Sequence, residues 1–91
     1  MRQKKLKRAV AHILKDSKEQ GELGLTVGQI RDRLMNGGFK HLPSGRQLGG
    51  ILKGTDGFYA SDKICFYDKD LNGSVTLNLW TIDWMEAQTW M

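Results

Sequence analysis

Two stretches, Gly24-Leu25-Thr26-Val27-Gly28-Gln29-Ile30-Arg31-Asp32-Arg33-Leu34 and Pro43-Ser44-Gly45-Arg46-Gln47-Leu48-Gly49-Gly50-Ile51-Leu52, decide how this chain folds. Thr26 has the position and chemistry of an N-cap, its hydroxyl accepting from the free amides of the next turn. Ile30 and Leu34 then fall on one face of a helix of about ten residues. Asn36-Gly37-Gly38 ends that helix, since glycine suits the backbone of a helix C-terminus. Pro43-Ser44 opens another, with Ser44 as cap and Leu48, Ile51 and Leu52 as its inner face, until Gly54 and Gly57 break it.

Upstream, residues from about Gln3 to Glu19 place Leu6, Val10, Ile13 and Leu14 at helical spacing, with Lys5, Arg8, His12 and Lys15 opposite. An amphipathic first helix is expected. Gln20-Gly21 stops it, and Leu23-Gly24-Leu25 has room for a strand of two or three residues. Downstream the period changes to two: Ile64-Cys65-Phe66-Tyr67 and Val75-Thr76-Leu77-Asn78-Leu79-Trp80 flank the turn-forming cluster Asp68 to Ser74. That pattern reads as a hairpin with a loop longer than two residues. Because an isolated hairpin is marginal in water, the face carrying Val75, Leu77 and Leu79 is expected to pack on the helices, with Leu23–Leu25 as a third strand.

Helix, short strand, helix, helix and hairpin, with the segments quoted above and the aromatic pair Phe58-Tyr59, resemble the winged helix-turn-helix family. The resemblance covers about nine-tenths of the chain and rests on element order and local pattern. It implies an α+β fold, a three-helix core with a small antiparallel sheet, in a single domain over residues 1–91. It also implies that the third helix (about 44–53) enters the DNA major groove while the hairpin, the wing, touches flanking backbone. Two departures stand out. Gly49-Gly50 weakens the third helix by up to about 1 kcal/mol per glycine relative to alanine, and the wing tip holds Asp68 and Asp70 around a single Lys69.

Charge points to the same kind of partner. Residues 1–53 carry twelve Lys/Arg against four acids, a net of +8, whereas residues 54–91 carry two Lys against six acids, a net of −4. A field concentrated on one part of a small fold suits a polyanion, because each neutralised phosphate releases counterions. With the core face centred on Leu48, Ile51 and Leu52, the third helix turns Arg46, Gly50 and Lys53 outward and Gln47 to the flank. Arg46 has the chemistry to read guanine, and Gln47 to read adenine, from the end of the helix that meets base edges. Ser44 at the cap, and Arg31, Arg33, Lys40 and Lys69, complete the expected double-stranded DNA contacts.

All three tryptophans lie within the last twelve residues, and the segment 81–91 reads as an aromatic tail. Trp80, Trp84, Met85 and Trp90 amount to more apolar area than so small a core is expected to hide. Either the tail folds back over the sheet or it forms an interface, and a homodimer contact would set two third helices at a fixed spacing. Cys65, the only cysteine, is expected to be a buried, reduced thiol.

Other classes lack their residues. His12 and His41 have no metal-ligand spacing with each other or with Cys65, and there is no phosphate-binding loop, nucleophile elbow or paired-carboxylate pocket. Asp68, Asp70 and Asn72 alternate somewhat as a calcium loop does, but Leu79 stands where its closing Glu would be. No enzyme, metal or cofactor is expected. No apolar run approaches the ~18 residues of a membrane span, and the basic start lacks a signal peptide's apolar segment, so a cytoplasmic protein is expected. Two functions follow: a small DNA-binding transcriptional regulator, or a winged-helix module that binds a protein through its sheet and Trp-rich C-terminus.

Overall fold

A computed structural model describes residues 2–91, with side chains from residue 4 onward. Its elements are α1 (Arg2–Glu19), α2 (Val27–Asn36), α3 (Gly45–Gly54), β1 (Phe58–Asp68), β2 (Gly73–Ile82) and a short α4 (Trp84–Ala87). The architecture is mixed α+β, four helices with a two-stranded antiparallel sheet, compatible with a winged-helix layout.

Both internal helices begin as their cap residues require, and with a complete capping box. Thr26 Oγ1 accepts from Gln29 N while Gln29 Oε1 accepts from Thr26 N, and Ser44 and Gln47 repeat the arrangement at α3. Two otherwise orphaned amides are thereby satisfied at each helix start. Along α1, Val10, Ala11, Leu14 and Ser17 face inward. They meet Ile30 and Leu34 of α2, Leu48 and Leu52 of α3, and Leu25, Phe58, Trp80 and Ile82 from the sheet side.

The sheet departs from expectation in three respects. Its strands are longer than the apolar runs, reaching back to Phe58 and on to Ile82. Leu23–Leu25 contributes a single bridge, with Leu25 and Trp80 exchanging two backbone hydrogen bonds of 2.9 and 2.7 Å, rather than a third strand. Most consequentially, only the base of the ribbon packs on the helices. A bulge leaves Ser61 unpaired between the pairs Ala60–Trp80 and Asp62–Leu79, and its hydroxyl donates to Leu23 O at 2.9 Å. Bulges bend the strand and increase its twist. Beyond it both faces of the ribbon meet solvent: Ile64, Phe66 and Leu77 are exposed and Val75 is half-buried, so they do not fill the core as expected. Cys65 is exposed for the same reason, which corrects its reading as a buried thiol.

The core is completed instead by the C-terminal segment. Trp80 and Ile82 are buried, and Asp83 caps α4 by accepting from Glu86 N. Ala87 then packs on Gly57, whose φ of +95° only glycine adopts freely and whose missing Cβ would lie 2.9 Å from Ala87 N. Trp90 meets the Phe58 ring edge-on at 5.7 Å and donates from Nε1 to Asp56 O at 2.7 Å. Trp84 lies under Lys15 Nζ, 4.3 Å from the ring centroid, with the His12 ring 5.5 Å away. The tail thus folds back on its own domain, and of the four residues expected at an interface only Met85 is left largely exposed. No helix among the described residues is long and apolar enough to cross a membrane.

Candidate nucleic-acid interface

The helix α3 buries Leu48 and Leu52 and half-buries Ile51, which turns Arg46, Gln47, Gly50 and Lys53 to solvent. Neither Arg46 nor Lys53 has an ion-pair partner among the described residues. Gly50 and Gly54 also face open space: a Cβ at either would meet nothing within 4 Å. Internal packing therefore does not explain these glycines. Their effect is a helix surface with bare backbone beside Arg46 and Lys53.

A trough flanks this surface on each side. One, about 480 Å³, runs between the start of α2, Gly49 and Lys53 of α3, and Thr76, Leu77, Asn78 and Trp80 of β2. The strand register shows what shares a ribbon face with Thr76 and Asn78. Thr76 pairs with Cys65, Asn78 with Lys63, and Ser74 with Tyr67, so these six side chains share one face. That face is polar and carries Lys63. Asp62 and Asp68 alternate onto the other face, with Ile64 and Phe66. The second trough, about 530 Å³, lies between α3 and α1 and is lined by Gln47, Gly50 and Gly54 with Lys7 and Pro43.

Several expected contacts are differently employed. Gln47 is exposed but its Oε1 is held by Ser44 N at 3.1 Å, so the oxygen needed for a bidentate bond to adenine is already engaged. The same holds for Ser44, whose Oγ accepts from Gln47 N. Arg31 Nε donates to Pro43 O at 2.9 Å, tying α2 to the entry of α3. Arg33 pairs with Glu22 at 3.2 Å on the molecule's exterior. Lys40 and Lys69 are exposed, Lys40 in the turn before α3 and Lys69 at the ribbon tip. The acids of the tip help to order it, since Asp68 Oδ1 accepts from Asp70 N at 2.9 Å. Tyr67 donates its hydroxyl proton to Asn72, itself at a φ of +51°.

Lys7 and Lys63 are not among the contacts expected from the sequence. Alternation from the Ile64–Tyr67 run would have put Lys63 beside Cys65, but the strand's extension past that run hid it. For Gln47 the signal was present, since Ser-x-x-Gln at 44–47 is a capping box. Among the described residues no group of His, Cys, Asp and Glu is arranged to hold a metal.

No protein-family model matches the chain, and neither a curated protein nor a solved structure matches it.

Proposed function

We propose that this chain is a winged helix-turn-helix protein that binds double-stranded DNA, as a small cytoplasmic regulator of transcription. The observation that carries the reading is α3, a helix exposing Arg46 and Lys53 around the bare backbone of Gly50. In this reading Arg46 bonds guanine O6 and N7 in the major groove, and the glycine face lets the helix seat deeply. Lys53 and the ribbon's Lys63 neutralise phosphates of a strand lying along the trough between them, and Lys7 does so on the α1 side. Thr76 and Asn78 offer neutral hydrogen bonds to the same backbone. With Asp62 and Asp68 on the far face, the strands of the wing meet the duplex through the side that carries Lys63. No catalytic role is proposed.

A gel-shift titration against random duplex at two salt concentrations tests this. Affinity should fall steeply as salt rises, with a log–log slope of about −0.9 per phosphate neutralised. An absence of any shift at low salt would leave the second reading, a protein-binding module, which the exposed apolar side of the ribbon favours.

A further inference from the structure

Two surface features have no part in the proposed DNA contact. The first is the ribbon tip, where Leu71 stands 71% exposed beside Asp70 and Asp68. The second is a groove of about 590 Å³ on the α2 side, with Met35, Phe39 and Leu42 lining it and Arg31, Lys40 and His41 around them. Met35 is 56% exposed there, although it follows the buried Leu34. No residue of the ribbon lines this groove.

We propose that the ribbon tip of one copy seats in this groove of a second copy, so that the chain assembles head to tail. Charge selects the occupant. The tip is apolar at Leu71 and carries Asp68 and Asp70 against one Lys69, whereas the groove is apolar at Met35, Phe39 and Leu42 and carries Arg31 and Lys40 with no acid among its lining residues. Leu71 reaches the apolar lining, Asp70 faces Lys40, and Asp68 faces the terminal nitrogens of Arg31, whose Nε remains on Pro43 O. The two surfaces differ, so the contact is heterologous. Every open assembly still presents one free groove at one end and one free tip at the other, and assembly continues into an open chain or closes as a ring. The contact is small and falls among weak interfaces, under about 1,200 Å² in total. It uses neither Arg46 nor Lys53, so α3 stays free in every copy, and it does not depend on the DNA reading.

Sedimentation velocity without DNA tests it. At low salt the weight-average mass of the wild-type chain should climb past twice the chain mass as concentration approaches millimolar, and should return to the monomer in high salt. The surface variants Leu71→Ser and Met35→Glu should each stay monomeric with an unchanged circular dichroism spectrum. Mixed one to one, they should form a dimer and nothing larger, because the intact tip of one fits the intact groove of the other and neither product can extend. A wild-type chain that remains a monomer, or stops at a dimer, overturns the proposal. So does a mixture of the two variants that remains monomeric.

Discussion

Gly50 and Gly57 put opposite demands on the same kind of residue. Gly57 is fixed by the fold: its φ is +95°, and a Cβ there would approach Ala87 N at 2.9 Å and Ala87 Cα at 3.0 Å. Gly57→Ala should therefore lower unfolding stability by more than about 2 kcal/mol, combining left-handed strain with displacement of α4. Gly50 has neither constraint. Gly50→Ala should raise stability by roughly 0.5–1 kcal/mol, as alanine does at an exposed helix position. Under the proposed function it should at the same time weaken DNA binding, because a methyl group then stands where the groove approaches the backbone. Urea melts and gel shifts on the same two variants check both statements. A stabilised Gly50→Ala variant with undiminished affinity would mean that the glycine face does not meet DNA.

At the scale of the element, the start of α3 divides capping and recognition between neighbours. Gln47 closes the capping box on Ser44, whereas the Arg46 guanidinium makes no hydrogen bond to the rest of the chain among the described residues. Gln47→Ala should thus cost roughly 0.5–1 kcal/mol of stability, the worth of a helix-end hydrogen bond, and alter base preference little. Arg46→Ala should leave the melt unchanged and cost about 1–3 kcal/mol on a selected site. The ribbon is tested with the same assay. Lys63→Ala should weaken binding to all duplexes alike and lower the salt slope by about one, while Lys69→Ala, at the tip, should leave the slope unchanged. Equal slopes for Lys63→Ala and wild type would remove the ribbon face from the interface. The helices were legible because caps and 3.6-residue periodicity are local properties: Thr26, Ser44 and the inner residues Ile30, Leu34, Leu48 and Leu52 stand where the sequence puts them. The ribbon was only half legible. Alternation gives its two faces, but whether either face is covered depends on where the strand leaves the core, and that is set by the unpaired Ser61.

For the whole molecule, the question is which apolar residues close the core, and on sequence alone Trp84 and Trp90 look like an excess. That impression treats the alternating strands, with Ile64, Phe66, Val75 and Leu77, as packed on the helices, because a pattern of alternating apolar residues cannot distinguish a packed strand from a ribbon extending into solvent. Once these four are outside, the tail is needed inside. Trp90 lies against Phe58 with its indole N–H on Asp56 O, and Trp84 lies between α1 and the tail under Lys15. Trp90→Ala removes a half-buried ring and a hydrogen bond and leaves Asp56 O without that donor. A fully buried aromatic costs about 3–5 kcal/mol on such truncation, so the half-buried ring should cost roughly 2–3 kcal/mol. At micromolar concentration, where the weak tip-to-groove contact is dissociated, wild type and Trp90→Ala should sediment alike as monomers and differ in thermal midpoint. The opposite result, an unchanged midpoint with a mass that falls from dimer to monomer, would return the tail to the role of a two-fold interface. The two outcomes separate because a residue that closes its own core contributes to unfolding at any concentration, whereas one that closes a dimer does so only where the dimer forms.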